Sequence, residues 1–237
     1  MTKIYGVGLG PGDPGLVTLA ALEALNRAQL IVAPSSQPQT MGRAERILHE
    51  LLPEREVIRV PMAMRGGQSG IAQREESTRL AIRELGPRLV ETTVAFITLG
   101  DPLIYSTFSL FVASLRHEQV PVAVEVIPGI PAFVQMASLT TTNLLDNDER
   151  LHLVPATGGL DHVERLLQDR GSALILYKLT SNFAVVRAMI IRACRQEGTM
   201  VGMELGTDRV QVVPLCDAPE VVEYFTTVIV PVQRGRA

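Results

Sequence analysis

Through about the first 140 residues, apolar runs of strand length alternate with segments of helical period, and no other feature constrains the fold as strongly. "KIYGVG", "LIVA", "EVIRV", "TVAFIT" and "VAVEVI" read as strands, and the segments between them repeat apolar residues every three or four positions. Strand, helix and strand in succession make a parallel pair, so the pattern predicts an open, mainly parallel sheet covered by helices. The polar stretch "TTTNLLDNDE" interrupts the rhythm, and after it "TMVGMEL", "RVQVVPL" and "FTTVIVPV" follow one another with little helix between them. Such an ending calls for antiparallel pairing. The expected fold class is therefore two α/β domains, 1–141 with a mainly parallel sheet and 150–237 with a mixed one, joined by a linker at 142–149.

Three strand ends carry Gly/Pro-rich loops: "GVGLGPGDPG", "TLGDPLIYST" and "VIPGIPA". Gly10, Gly12 and Gly15 satisfy the bare G-x-G-x-x-G pattern of a dinucleotide site. Pro11 and Pro14, however, remove N–H groups that would cradle a pyrophosphate, and Pro34, Ser35 and Ser36 stand where an acid for the ribose belongs. The alternative is a loop in which Asp13 caps the next helix, Pro14 occupies its first turn, and Leu16, Leu19, Leu22 and Leu25 form its apolar face. In a parallel sheet all three loops leave the same edge, where glycine lets a ligand approach the backbone and proline fixes the turn.

Composition narrows the class of function. A net charge of −3 argues against a nucleic-acid surface, and no apolar run approaches the ~20 residues that span a bilayer. Cys194 and Cys216 stand apart from each other and from the histidines, so neither a zinc site nor any other metal site is expected. Both read as buried reduced thiols of a cytoplasmic protein. Gly86 and Pro87 are expected to break or kink the long helix that holds them.

Taken in order and spacing, "YGVGLGPGDPGLVTLAALEAL", "TLGDPLIYSTF" and "EVIPGIPAF" resemble the tetrapyrrole methyltransferases, the S-adenosylmethionine-dependent enzymes of cobalamin and sirohaem synthesis. "LGDPLIYSTF", "DERLHLVPAT" and "LYKL" are more similar to the branch that methylates C-20 of precorrin-2 than to the uroporphyrinogen branch. The resemblance runs nearly end to end. It implies S-adenosylmethionine as cofactor, held in a cleft between two domains, a tetrapyrrole substrate and a homodimer. By matching positions it assigns the cofactor to Pro11, Leu99, Gly100, Asp101, Ile104, Pro131, Ala132, Lys178, Leu205 and Gly206. Pro131 departs from the family's Ser or Thr, and Lys178 replaces a common methionine, which favours a backbone contact there.

Transfer of a methyl group from a sulfonium needs placement and exclusion of water more than a catalytic triad. Asp101 has two compatible roles, attraction of a cationic cofactor or bonding to nearby backbone N–H groups. Tyr105 is the candidate polar group beside the reacting carbon, its alternative a packing role at the helix start. Arg43, Arg65 and Arg150 are candidates for the substrate carboxylates, and Pro61–Gly70 for a lid. Competing readings are another tetrapyrrole methylase, a nicotinamide-dependent oxidoreductase and a non-catalytic S-adenosylmethionine-binding module.

Overall fold

The computed structural model describes residues 1–35, 39–62 and 68–234, with side chains throughout except at 68–71. Two compact units result, Met1–Pro131 and Ala132–Ala237.

The first unit is built on strands β1 (Thr2–Gly8), β2 (Leu30–Ser35), β3 (Val57–Pro61), β4 (Thr93–Thr98) and β5 (Val122–Ile127), ordered β3-β2-β4-β1-β5. Every pairing in it is parallel. Alternate residues of a strand face opposite sides, which sorts the core into two layers. Tyr5, Val7, Ile31, Ala33, Ala95 and Ile97 meet helices α1 (Leu19–Arg27) and α2 (Arg43–Leu51). Ile4, Val32, Val60, Val94 and Phe96 meet α3 (Gln68–Leu89) and α4 (Phe108–His117). Phe96 anchors that second layer, its ring 4.7 Å from that of Phe111 and 5.7 Å from that of Phe108. The Phe108 ring fills the space where a Cβ at Gly6 would lie, so the glycine of β1 admits the helix.

Local chemistry departs from the sequence reading at three places. Asp13 caps a 3₁₀ turn, Pro14–Leu16, through Gly15 N–H at 2.7 Å. Thr18 starts α1, accepting from Ala21 N–H at 3.1 Å. The buried face of α1 is Ala21, Ala24 and Leu25, while Leu19 is 81% exposed; strict three-residue spacing of leucines drifts around a helix of 3.6 residues per turn. Third, α3 continues unbroken through Gly86 and Pro87. Its last residue, Leu89, is fully buried and its carbonyl accepts from the Thr2 hydroxyl, so tertiary anchoring outweighs the local breaker.

The second unit carries β6 (Arg150–Pro155), β7 (Ser172–Tyr177), β8 (Met200–Met203), β9 (Gln211–Pro214) and β10 (Thr227–Val230), ordered β6-β7-β10-β8-β9. β6 and β7 are parallel, and β10 is antiparallel to both β7 and β8. Helices α6 (Asp161–Leu167) and α7 (Phe183–Arg192) cover Leu174, Leu176, Val201 and Val228 on one face. The other face, Ile175 and Ile229, is covered by Phe133, Met136 and Ala137 of α5 (Ala132–Leu139). A Cβ at Gly202 would lie 2.7 Å from Met136 Sδ, which shows how closely α5 approaches this sheet. The division between units therefore falls before α5, whereas the sequence reading kept α5 in the first domain and looked for a linker at 142–149.

Arg195 is fully buried and closes the amino edge of β6 and β7. Its guanidinium donates to the carbonyls of Leu167 at 3.1 Å, Asp169 at 2.9 Å, Ser172 at 2.7 Å and Pro231 at 2.7 Å. Cys194 and Cys216, expected to be buried, are exposed. Cys194 occupies the left-handed turn that ends α7, with φ 53°, and Cys216 lies in the surface 3₁₀ turn Leu215–Asp217. No helix among the described residues is long and apolar enough to cross a membrane.

Candidate functional site

In the first unit β1 and β4 are adjacent, yet the helices that follow them, α1 and α4, cover opposite faces of the sheet. Their carboxyl ends thus form the topological switch point at which open α/β sheets bind ligands. Two of the three Gly/Pro loops start there and the third leaves β5, the other neighbour of β1.

The loops are knit together through backbone. Gly10 and Gly100 form an antiparallel bridge, with Gly100 N–H to Gly10 O at 2.7 Å and the reciprocal bond at 3.3 Å. Both have positive φ, 73° and 68°, which glycine adopts without strain. At the centre, a Cβ on Gly8 would lie 2.6 Å from Gly100 O and 2.6 Å from Gly129 N. A Cβ on Gly129 would run into Gly100 O as well. Gly8, Gly100 and Gly129, one from each strand end, therefore meet, with no room for a side chain at Gly8 or Gly129.

Asp101 binds two of the loops at once. Its Oδ1 accepts from Leu103 N–H at 2.8 Å and its Oδ2 from Gly129 N–H at 3.1 Å. Beyond it Leu103 is 71% exposed and Tyr105 is held at φ 49°, a conformation that costs a non-glycine residue roughly 1–2 kcal/mol. Partial desolvation of the 47% exposed Tyr105 pushes its phenol above its usual pKa, so at neutral pH it is a hydrogen-bond donor rather than a base. Ser106, which sequence reasoning passed over, donates to Thr98 Oγ1 at 3.2 Å and accepts from Phe108 N–H at 3.1 Å, fixing the start of α4. A Ser two residues before an apolar helical run was its available signal. Leu99 and Ile104 are half-buried in the same loop, Pro11 is buried, and Pro131 lies next to α5.

In the second unit, β7 and β8 are both antiparallel to β10 and hence parallel to each other. Lys178, which follows β7, and Leu205 and Gly206, which follow β8, accordingly share one edge of that sheet. Lys178 has φ 58° and Glu204 φ 50°, both non-glycine residues in the left-handed region. Leu205 packs with Phe133 and Met136 in the core, so only its backbone is available to a ligand.

The arginines divide. Arg43 is the first residue of α2, which lies against the Pro14–Leu16 turn at the carboxyl edge of the first sheet. Arg150 opens β6 at the opposite, amino edge of the second sheet from Lys178, and pairs with Asp169 at 2.9 Å. A pattern that marks a residue as beside a loop does not say which end of the strand the loop serves, and Arg150 lies at the edge opposite Lys178. Arg65 and the centre of the expected lid, 63–67, lie outside the described residues. Among the described residues no cluster of His, Cys, Asp and Glu has the arrangement of a metal site.

Residues 3–219 match the tetrapyrrole (corrin/porphyrin) methylases, and the chain belongs to that family. Among its relatives, the precorrin-2 C(20)-methyltransferase of a Sinorhizobium species is 27% identical over 99% of this chain and 97% of its own length. The cobalt-precorrin-2 C(20)-methyltransferase of Salmonella typhimurium is 27% identical over 81% of this chain and 78% of its own. Uroporphyrin-III C-methyltransferase of Thermus thermophilus, solved with S-adenosyl homocysteine, shares the fold with a TM-score of 0.68 at 22% identity, covering 96% of each chain. A cobalt precorrin-4 methyltransferase aligns with a TM-score of 0.70 at 19% identity, over 97% of this chain and 94% of its own.

Proposed function

We propose that this chain is an S-adenosylmethionine-dependent C-methyltransferase that methylates C-20 of precorrin-2, or of its cobalt form, in cobalamin biosynthesis. The observation that carries the reading is the meeting of Gly8, Gly100 and Gly129 at the β1/β4 switch point, within a chain of the tetrapyrrole methylase family. The names of the Sinorhizobium and Salmonella relatives support the position of methylation.

The residues present fit the cofactor. Around Gly100 the space a Cβ would enter is open, so a nucleoside can approach the backbone between Leu99 and Asp101. Pro11, Leu99, Gly100, Asp101, Ile104 and Pro131 are the first unit's candidates for the cofactor, and Ala132 and the backbone at Lys178, Leu205 and Gly206 are the second unit's. When bound, S-adenosylmethionine supplies a methyl group activated on its sulfonium. The protein's own contribution is placement: loops tied by backbone hydrogen bonds hold their shape without reorganising as substrate arrives. Tyr105, partly exposed and neutral at physiological pH, is the candidate to donate a hydrogen bond to the substrate rather than to remove its proton. Arg43 serves the acidic side chains of the macrocycle from the start of α2. The reading includes a homodimer working in the cytoplasm.

Calorimetry with S-adenosylhomocysteine and with NAD, followed by mass spectrometry of precorrin-2 incubated with the protein and labelled S-adenosylmethionine, tests it. Binding of the first nucleoside only and a gain of one labelled methyl group are expected. Absence of S-adenosylhomocysteine binding overturns the whole reading, whereas binding without methyl gain overturns the substrate alone.

A further inference from the structure

We infer that Asp101 is a positioning residue: its carboxylate latches the loop after β5 to the loop after β4, and in doing so sets the backbone that receives the cofactor. The cofactor half of this inference rests on the function proposed above.

β4 and β5 are not neighbours, because β1 lies between them. At ~4.8 Å per strand the two are roughly 10 Å apart, too far for ladder hydrogen bonds to couple the loops that leave them. The connection has to pass over the end of β1, and the residue there is Gly8, where a Cβ would collide with both neighbouring loops. Over that gap Asp101 Oδ2 reaches Gly129 N–H at 3.1 Å, while Oδ1 folds its own loop through Leu103 N–H at 2.8 Å. Each oxygen thus accepts from a different loop. Hydrogen bonds from backbone N–H to a carboxylate are stronger than neutral ones, which suits a latch. The glycines at 8, 100 and 129 make the approach possible, and Asp101 fixes it.

A latch and a direct contact with the cofactor's positive charge make different predictions, because S-adenosylmethionine is a cation at sulfur and S-adenosylhomocysteine is not. Asn at this position still folds the turn onto Leu103 but offers Gly129 no second acceptor oxygen. Asp101→Asn is therefore expected to weaken both nucleosides by the same factor, about tenfold or more, on the scale of one lost charge-assisted hydrogen bond. Amide exchange should accelerate at Gly129 and stay slow at Leu103. Asp101→Ser, which is too short to reach Gly129, should behave alike. Loss confined to S-adenosylmethionine, or no loss at all, overturns the inference. In the unmutated protein a coupling through the hydrogen bond between Gly129 N and the Asp101 carboxyl carbon is expected by nuclear magnetic resonance. Its absence overturns the latch even if neither variant folds. If the unmutated protein binds neither nucleoside, the cofactor reading fails, while the coupling and the exchange at Gly129 still decide the latch.

Discussion

Two sheet edges in this molecule are closed by opposite means. At the carboxyl edge of the first sheet, three loops join through glycine backbone, with Asp101 as the bridging side chain, and Leu103 and Tyr105 stay exposed. At the amino edge of the second sheet the closure is made by charged side chains. Arg195 gathers four carbonyls, Arg150 pairs with Asp169, and Arg234 donates to both oxygens of Glu149 at 2.8 and 2.6 Å. A backbone closure leaves its surroundings open to a ligand and keeps its shape; a side-chain closure fills its own space and contributes mainly stability. Arg150, Arg234 and the acidic turn 146–149 line a surface depression at this second edge. What separates the two edges is whether backbone or charged side chains make the closure.

The largest effect is expected at the second edge. Arg195→Met removes donors from four carbonyls and should cost about 3–5 kcal/mol, read as a shift in the urea midpoint. A loss under about 1 kcal/mol would break the contrast. At the first edge Gly129→Ala forces a Cβ into Gly100 O and should destabilise by about 1–3 kcal/mol while abolishing S-adenosylhomocysteine binding in calorimetry. Retained binding would show that the knot does not shape the site. Tyr105→Asn relieves a left-handed conformation that asparagine tolerates, so stability should hold or rise by up to about 1 kcal/mol while turnover of precorrin-2 falls. Loss of stability without loss of turnover would make Tyr105 a packing residue.

The smallest effect is one of pH. The Ser172 hydroxyl, the Gly171 amide and the Arg150 charge hold the Asp169 carboxyl below its ordinary value, against a smaller opposing effect of burial. A carboxyl with a lowered folded-state pKa stabilises above the unfolded value of ~3.9 and loses that contribution as pH falls through the folded value. Urea midpoints of the unmutated protein should therefore fall more steeply below about pH 4 than those of Asp169→Asn. Parallel curves would remove Asp169 from the edge.

Much of the architecture was legible because it rests on short-range periodicity. The five strands of the first sheet, the mixed second sheet and the three loops on one edge follow from apolar spacing and from Gly and Pro at strand ends. Helix starts were read less well. Asp13 and Thr18 are both good caps five residues apart, and only packing decided that the first serves a 3₁₀ turn and the second α1. The assignment of α5 to the second unit was not visible either. Its apolar residues fit any sheet face, and Gly202 is the position that admits it. Arg150 looked like Arg43 in sequence, yet the strand direction put it at the sheet edge opposite Lys178.

By itself the sequence determined the order of strands and helices, the parallel first sheet and the glycines that permit a crowded switch point, since each follows from residue type and local spacing. Tertiary structure alone decided that Gly8, Gly100 and Gly129 converge, that Asp101 spans two loops across a third strand, and that Arg195 is buried among carbonyls. These partners lie from tens to about a hundred residues apart, and hydrogen bonds of a few ångströms between such positions exist only once the sheets have brought their edges together.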